Sequence, residues 1–238
     1  MKRIGSFASR HPKKLILLAV LLIAYYFCLP KNLFKSPTAT VVESKQGSLL
    51  GAMIAEDGQW RFSEVDSVSY KFKTCILHFE DAHFYQHPGF NPIAIVKAIK
   101  ANISAGTTVR GGSTLTQQVI RLARNGKSRS YFEKFVELIW ATRLELNRSK
   151  EDILKLYASH APFGGNVVGI DVASWRYFGL RPHQLSWAES ATLAVLPNAP
   201  SLIYPGKNQI KLLDKRNRLL KKLLKSRLLT KQLMNSRY

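Results

Sequence analysis

Residues 110–121 read RGGSTLTQQVIR. Two glycines, Gly111 and Gly112, let a backbone approach a ligand closely. They run into hydroxyl and amide side chains and then into an apolar-periodic segment. The pattern predicts a helix over 113–124 with Ser113 as its cap. The N-terminus of such a helix presents unpaired N–H groups to an anion. Thr114, Gln117, Gln118 and Arg121 fall within about two turns of it, within reach of sugar hydroxyls or phosphate oxygens. Alone, the stretch reads equally as a capped helix after a loop.

Upstream lies FEDAHFYQHPGF, residues 79–90. Glu80 and Asp81 sit among Phe79, Phe84, Tyr85, His83 and His87. Carboxylates beside aromatics are either exposed and incidental, or held in a cleft where burial tunes their pKa. His83 and His87 are four apart, as zinc ligands often are. No third ligand is in context and Pro88-Gly89 follows, so no metal site is expected. NPIAIVKAIKANI then predicts a helix with Asn91 as N-cap, Pro92 at the first position, and Ile93, Val96, Ile99 and Ile103 on one face. Residues 38–65 read as three strands, TATVVES, SLLGAMIA and QWRFS, with Gln46-Gly47 and Asp57-Gly58 as hairpin turns.

Downstream, residues 131–146 predict a helix with Phe135, Leu138, Ile139, Thr142 and Leu146 on its apolar face. Glu137 then falls on the polar side beside Lys134, the spacing of an ordinary surface pair. SKEDILKLYA predicts a further helix capped by Ser149, and two more are expected over 186–196 and 208–234. The fold expected is mainly α, fronted by a small β-hairpin element.

The chain has 238 residues and a formal charge of +21. Such a field favours a polyanion: nucleic acid, an anionic membrane or a phosphorylated substrate. Residues 15–29, LILLAVLLIAYYFCL, carry no charge and follow a purely basic segment. Fifteen helical residues span roughly 22 Å, and Lys13, Lys14 and Lys31 can snorkel to extend that. No small-x-small cleavage site follows, which favours an uncleaved anchor over a signal peptide. The positive-inside rule puts the N-terminus in the cytoplasm and the rest outside. That makes nucleic acid no partner. The expected organisation is a basic cytoplasmic tail (1–14), a transmembrane anchor (15–30), a linker and β-hairpin segment (31–70), and a main domain (71–238). Cys28 and Cys75 fit no metal pattern, and a disulfide between them is not expected. Residues 207–238 hold eleven basic residues and one acidic, with leucines at helical spacing. This is either a terminal helix with a solvated basic face or an amphipathic helix lying on anionic lipid.

Five stretches, EDAHFYQHPGF, RGGSTLTQQV, RSYFEKFVE, SKEDILKLY…FGG and KRNRLL, occur in one order. In that order and at those separations they resemble the five motifs of the peptidoglycan glycosyltransferases, glycosyltransferase family 51, over about residues 38–225. The resemblance implies a lysozyme-like helical domain with a jaw that dips into the membrane of a bacterial cell, its catalytic face periplasmic. It implies polymerisation of lipid II onto a growing glycan, inverting the anomeric centre to a β-1,4 link. Glu80 matches the general base and Glu137 the second essential acid, near the donor pyrophosphate. Arg121, Arg129 and Lys134 match the cations that stabilise that pyrophosphate. Ser113, Thr114, Gln117 and Gln118 match the donor-side contacts. Asp81, Phe84 and His87 are counted by the same match with the substrate-binding set, Asp81 orienting the site and His87 supporting the motif loop. No cofactor is implied, although a divalent cation can assist pyrophosphate binding. The partners implied are lipid II, the glycan chain, membrane lipid and cell-wall transpeptidases.

The hairpin segment looks like that of a bifunctional branch of the family, whose members carry a C-terminal transpeptidase domain. No Ser-x-x-Lys acylation motif occurs here. The architecture expected is therefore that of a monofunctional transglycosylase, or of a bifunctional protein cut short. Three positions depart from the family pattern. Glu133 stands where Arg is common, Lys155 replaces a usual Glu, and Tyr157-Ala158-Ser159 replaces Tyr-Leu-Asn. Two rival readings are a glycan-cleaving enzyme and a non-enzymatic lipid II-binding scaffold. The first has no need of the pyrophosphate-binding cations. The second is motivated by Glu133 and Ser159.

Overall fold

The computed structural model describes residues 12–46, 49–107, 109, 111–125 and 130–229. Arg129, most of the basic N-terminal tail and the end of the C-terminal segment lie outside them. The elements run α1 (Pro12–Phe27), β1 (Thr40–Glu43), β2 (Leu49–Met53), β3 (Trp60–Arg61), α2 (Tyr70–Glu80) and a 3-10 turn (Phe84–Gln86). There follow α3 (Pro92–Ala105), α4 (Leu115–Ala123), α5 (Tyr131–Asn147), α6 (Lys150–His160) and β4 (Val167–Val168). The described chain ends with α7 (Ile170–Phe178), α8 (Trp187–Val195) and α9 (Gln209–Lys225).

The mainly α expectation holds. The core is assembled where α2 packs on α8, α9 packs on both, and α4 packs between α5 and α6. Phe72, Cys75 and Ile76 of α2 meet Leu115, Val119 and Ile120 of α4, Ile153, Leu154 and Tyr157 of α6, and Leu193 of α8 in one cluster. Cys28 and Cys75 are both free thiols. Burial pushes the Cys75 thiol up to about 12, so it is an inert packing group.

The helix starts follow their local chemistry. Asn91, Ser130, Ser149 and Ser186 each accept a backbone N–H from the first turn. In α4 the cap is Thr114, one residue later than Ser113. Thr114 and Gln117 bond reciprocally as a capping box, and the third-turn-position glutamine makes that arrangement better than the earlier start.

The strands depart further from expectation. β1 and β2 form the anticipated antiparallel hairpin. The Asp57-Gly58 turn forms, with Gly58 N–H bonded to the Ala55 carbonyl. β3 does not extend that hairpin. It pairs in parallel with β4, which stitches the N-terminal segment into the helical body. Val65 N–H donates to Ser159 Oγ nearby at 3.0 Å. Ser159 thus supplies a buried polar anchor on α6. Ser159→Ala leaves that N–H without an acceptor, and should cost about 1–3 kcal/mol. Thermal denaturation should show it as a drop of a few degrees, and no change in midpoint would remove the anchor role.

The apolar faces are the second departure. On α3, Ile93, Val96, Ile99 and Ile103 are all more than half exposed, and Ala98 is the buried residue. On α5 the expected apolar face is kept only in part, with Leu138, Ile139 and Thr142 half-buried. Phe135 and Leu146 are exposed, while Glu137, Ala141 and Leu144 are buried. α1 buries none of its residues. It touches the body at its C-terminal end, where Tyr25 donates to Thr142 Oγ1 at 3.1 Å and Arg143 donates to the Tyr26 carbonyl at 3.1 Å. Among the described residues, no helix is long and apolar enough to cross a membrane; α1 has 16 residues. On α9, Leu212, Leu219, Leu220 and Leu223 are buried in the core, while Ile210 and Leu213 stay exposed beside the basic residues.

Candidate active site

One cleft of about 940 Å³ is lined by the end of α2, the start of α3, the 111–114 approach and body of α4, the start of α5, the Pro197-Asn198 turn and Lys222 of α9. Glu80, Asp81, Ser113, Thr114, Gln118, Arg121, Lys134 and Glu137 all line it. Phe84, His87 and Gln117 lie behind it and are buried. Their position is that of scaffolding.

The scaffold is a chain of hydrogen bonds centred on Asp81. Its carboxylate accepts from Leu115 N–H at 3.0 Å, the first residue of α4, and from His87 Nε2 at 3.0 and 3.1 Å. Gly89 N–H donates to His87 Nδ1 at 3.2 Å. That nitrogen must carry the lone pair, so Nε2 carries the hydrogen and gives it to Asp81. Thr114 Oγ1 closes the ring by donating to the Gly89 carbonyl at 2.6 Å. Lys150 props the same loop, donating to the His87 carbonyl and to Glu145, each at 2.7 Å, beneath the Phe84 ring. Asp81 therefore joins the first and second motifs and touches the start of α4, although it also faces the cleft.

Glu80 is the reactive candidate. Gln118 Nε2 donates to its Oε2 at 2.8 Å. Its Oε1 is buried with no hydrogen-bond partner among the described residues. Burial pushes the Glu80 carboxyl above the ordinary carboxylate range. The Gln118 bond, the Asn198 amide and the charge of Lys215 only partly offset it. Lys215 Nζ in turn donates to Asn198 Oδ1 at 2.7 Å. Neither Asn198 nor Lys215 could be placed beside Glu80 by spacing. Lys215 lies in KRNRLL, but more than a hundred residues separate that motif from Glu80.

Glu137 is driven the opposite way. Burial raises its pKa, but Arg121 outweighs that with a two-pronged contact, Nε to Oε1 at 2.8 Å and Nη2 to Oε2 at 2.9 Å. Lys134 adds its charge at 3.6 Å. The carboxyl is held below the usual range and stays ionised. Ser113 Oγ accepts from Lys134 at 2.7 Å and from Arg121 at 3.3 Å. One carboxylate poised to take a proton and another locked as an anion among cations is the split that acid–base sites use. Among the described residues, no three His, Cys, Asp or Glu side chains are grouped to hold a metal ion.

Two carboxylates of opposed character with cations at one end of a cleft fit acid–base chemistry at a glycosidic centre. The family model described as Transglycosylase matches residues 46–224. The chain belongs to this family, the peptidoglycan glycosyltransferases of family 51. Penicillin-binding protein 1C of Escherichia coli is 40% identical over 177 residues, covering 74% of this chain and 23% of that protein. A biosynthetic peptidoglycan transglycosylase of Alcanivorax borkumensis is 39% identical over 143 residues, covering 60% of this chain and 58% of that protein. Penicillin-binding protein 1A of Aquifex aeolicus is 34% identical over 218 residues, covering 90% of this chain and 30% of that protein. The chain thus spans less than two thirds of each of these relatives. A crystal structure of penicillin-binding protein 1A from Haemophilus influenzae aligns over 86% of this chain and 21% of its own, at 17% identity and a TM-score of 0.44.

Proposed function

We propose that this chain polymerises lipid II into β-1,4-linked glycan and releases undecaprenyl pyrophosphate. The observation that carries the reading is the opposed pair in one cleft, Glu80 buried with a raised pKa and Glu137 clamped by Arg121. Glu80 takes the proton from the acceptor's 4-hydroxyl as that oxygen bonds to the donor's anomeric carbon. The bond from that carbon to the pyrophosphate breaks on the opposite face, which inverts the centre. Arg121 and Lys134 meet the charge that develops on the leaving pyrophosphate, and Arg129 is assigned the same role by its motif. Glu137 holds those two cations in place. Ser113, Thr114 and Gln118 line the route for the donor, backed by Gln117. No resident cofactor is required, and a divalent cation can share the pyrophosphate charge.

The same proposal seats the protein on the outer face of the bacterial cytoplasmic membrane. The exposed apolar residues of α1, of α3 and of the start of α5 support this. Patches of this extent are rarely left to water. α1 is the anchor, its lysines snorkelling to make up length, with the N-terminus inside. Cell-wall transpeptidases are the partners such glycan requires.

The test is labelled lipid II with the purified chain in detergent. The expected product is a lysozyme-sensitive polymer, with free polyprenyl pyrophosphate in equal measure to the links formed. Lipid II that binds without conversion would leave a scaffold. Glycan that shortens instead of growing would leave a cleaving enzyme.

A further inference from the structure

The Arg124–Glu133 pair has no part in the scheme above. Arg124 ends α4 and Glu133 sits in the first turn of α5. Arg124 donates from Nε at 3.1 Å and from Nη2 at 2.6 Å, both to Glu133 Oε2. Its guanidinium lies over the Trp140 ring, 4.6 Å from the centroid. The two side chains are only 14% and 17% exposed. Glu133 lines the cleft together with Ser130, Lys134 and Glu137.

The backbone around Glu133 matters as much. Ser130 Oγ accepts the Glu133 N–H at 3.1 Å. The carboxylate therefore stands at the positive end of a 17-residue helix. An oxygen anion against a guanidinium at a helix N-terminus is how proteins hold phosphate. Here the chain supplies the anion itself, at the end of the cleft where Arg121 and Lys134 gather.

We infer that Arg124 is a phosphate-binding residue of the donor end, masked in the free protein by Glu133. This rests on the transglycosylase reading. Donor loading is then an exchange in which a pyrophosphate oxygen replaces the Glu133 carboxylate on the Arg124 guanidinium. No covalent bond changes. The Trp140 ring keeps the guanidinium plane in position while its partner changes. The negative charge at 133 is thereby offset by a cation from the neighbouring helix, and it competes with every pyrophosphate that enters. Release of the spent carrier is helped by the same competition.

The experiment uses the full chain in detergent micelles with farnesyl pyrophosphate as probe, and farnesol as the uncharged control. Binding is followed by calorimetry and by tryptophan emission, with Trp140→Phe identifying the signal. Glu133→Gln should tighten farnesyl pyrophosphate about tenfold, the removal of one competing charge-assisted contact. Arg124→Gln should weaken it about tenfold and leave farnesol unchanged. In the double variant, which has no unpaired charge, the gain from Glu133→Gln should vanish. If the wild type polymerises lipid II and binds the probe, yet all variants stay within twofold, the pair is a strap between helices. The inference then fails and the transglycosylase reading stands. If no form binds the probe and none makes polymer, both fall together.

Discussion

Glu80→Gln is expected to abolish glycan polymerisation, lowering the rate by about 10²–10⁴ as loss of a general base does, and to raise thermal stability at neutral pH. The two effects have one origin. Burial raises the folded-state pKa of Glu80, so the fold favours its protonated form. The stability this group contributes is fully present below its unfolded pKa. It is lost as pH rises through the folded pKa. At neutral pH the ionised carboxylate, with its buried Oε1 unpartnered, is a net cost. Glutamine keeps an acceptor for Gln118 and removes the charge. Each kcal/mol relieved should raise the melting midpoint by about 2–4 °C. The same shift governs activity in the wild type. kcat/KM should fall with acid at a pH above that of an ordinary carboxylate, because the base must be unprotonated to act. A Glu80→Gln protein that polymerises normally, or that melts below the wild type at neutral pH, would overturn the assignment.

Gly89→Ala should be strongly damaging although Gly89 does not line the cleft. Gly89 has a φ of +92°, and an added Cβ would lie 2.7 Å from the Ala141 carbonyl oxygen. The obstacle is helix backbone, which cannot step aside. Strain and overpacking together should cost roughly 3–5 kcal/mol. Gly89 also gives its N–H to His87 and takes the Thr114 hydroxyl. Moving it displaces Asp81 and the start of α4, and a shift of about 1 Å there costs on the order of 10²-fold in rate. Denaturant unfolding and polymerisation by the folded fraction measure the two parts. Gly106→Ala is the comparison, since it too has positive φ but has no atom within 4 Å of the added Cβ. It should cost only about 1 kcal/mol. Equal effects at both positions would show that the contact with Ala141 is unimportant.

The site residues were named through the family resemblance, because spacing alone left RGGST a capped helix and Glu137 a surface partner of Lys134. Glu80, Ser113, Gln118, Arg121, Lys134 and Glu137 all reached one cleft. The helix starts at Asn91 and Ser149 were legible from local sequence, since a cap lies within three residues of the N–H it satisfies. Thr114 carried its own signal, a glutamine three residues on, and Ser113 lacked it. The face of α5 was not legible from periodicity. That reading assumes that apolar residues point inward and charged ones outward. On α5 the guanidinium of Arg121, from another helix, makes burial of Glu137 tolerable, and Phe135 faces outward with the apolar side chains of α3. The partner of β3 was equally hidden, because a two-residue parallel pairing with β4 is set by the packing of everything between them. Asn198 and Lys215 reach Glu80 only through the contact of α9 with α2 and α8.

α5 is also a mechanical element. It is one unbroken helix of 17 residues, with Lys134 near its start and Arg143 about 13 Å further along its axis. The end of α1 grips it at Thr142 and Arg143. α5 packs on α4 as part of the helical body, and a displacement of α1 would act on the element that also carries Lys134 and Glu137. The cationic end of the cleft and the contact with the N-terminal helix thus share one element, while Glu80 is carried on another, α2.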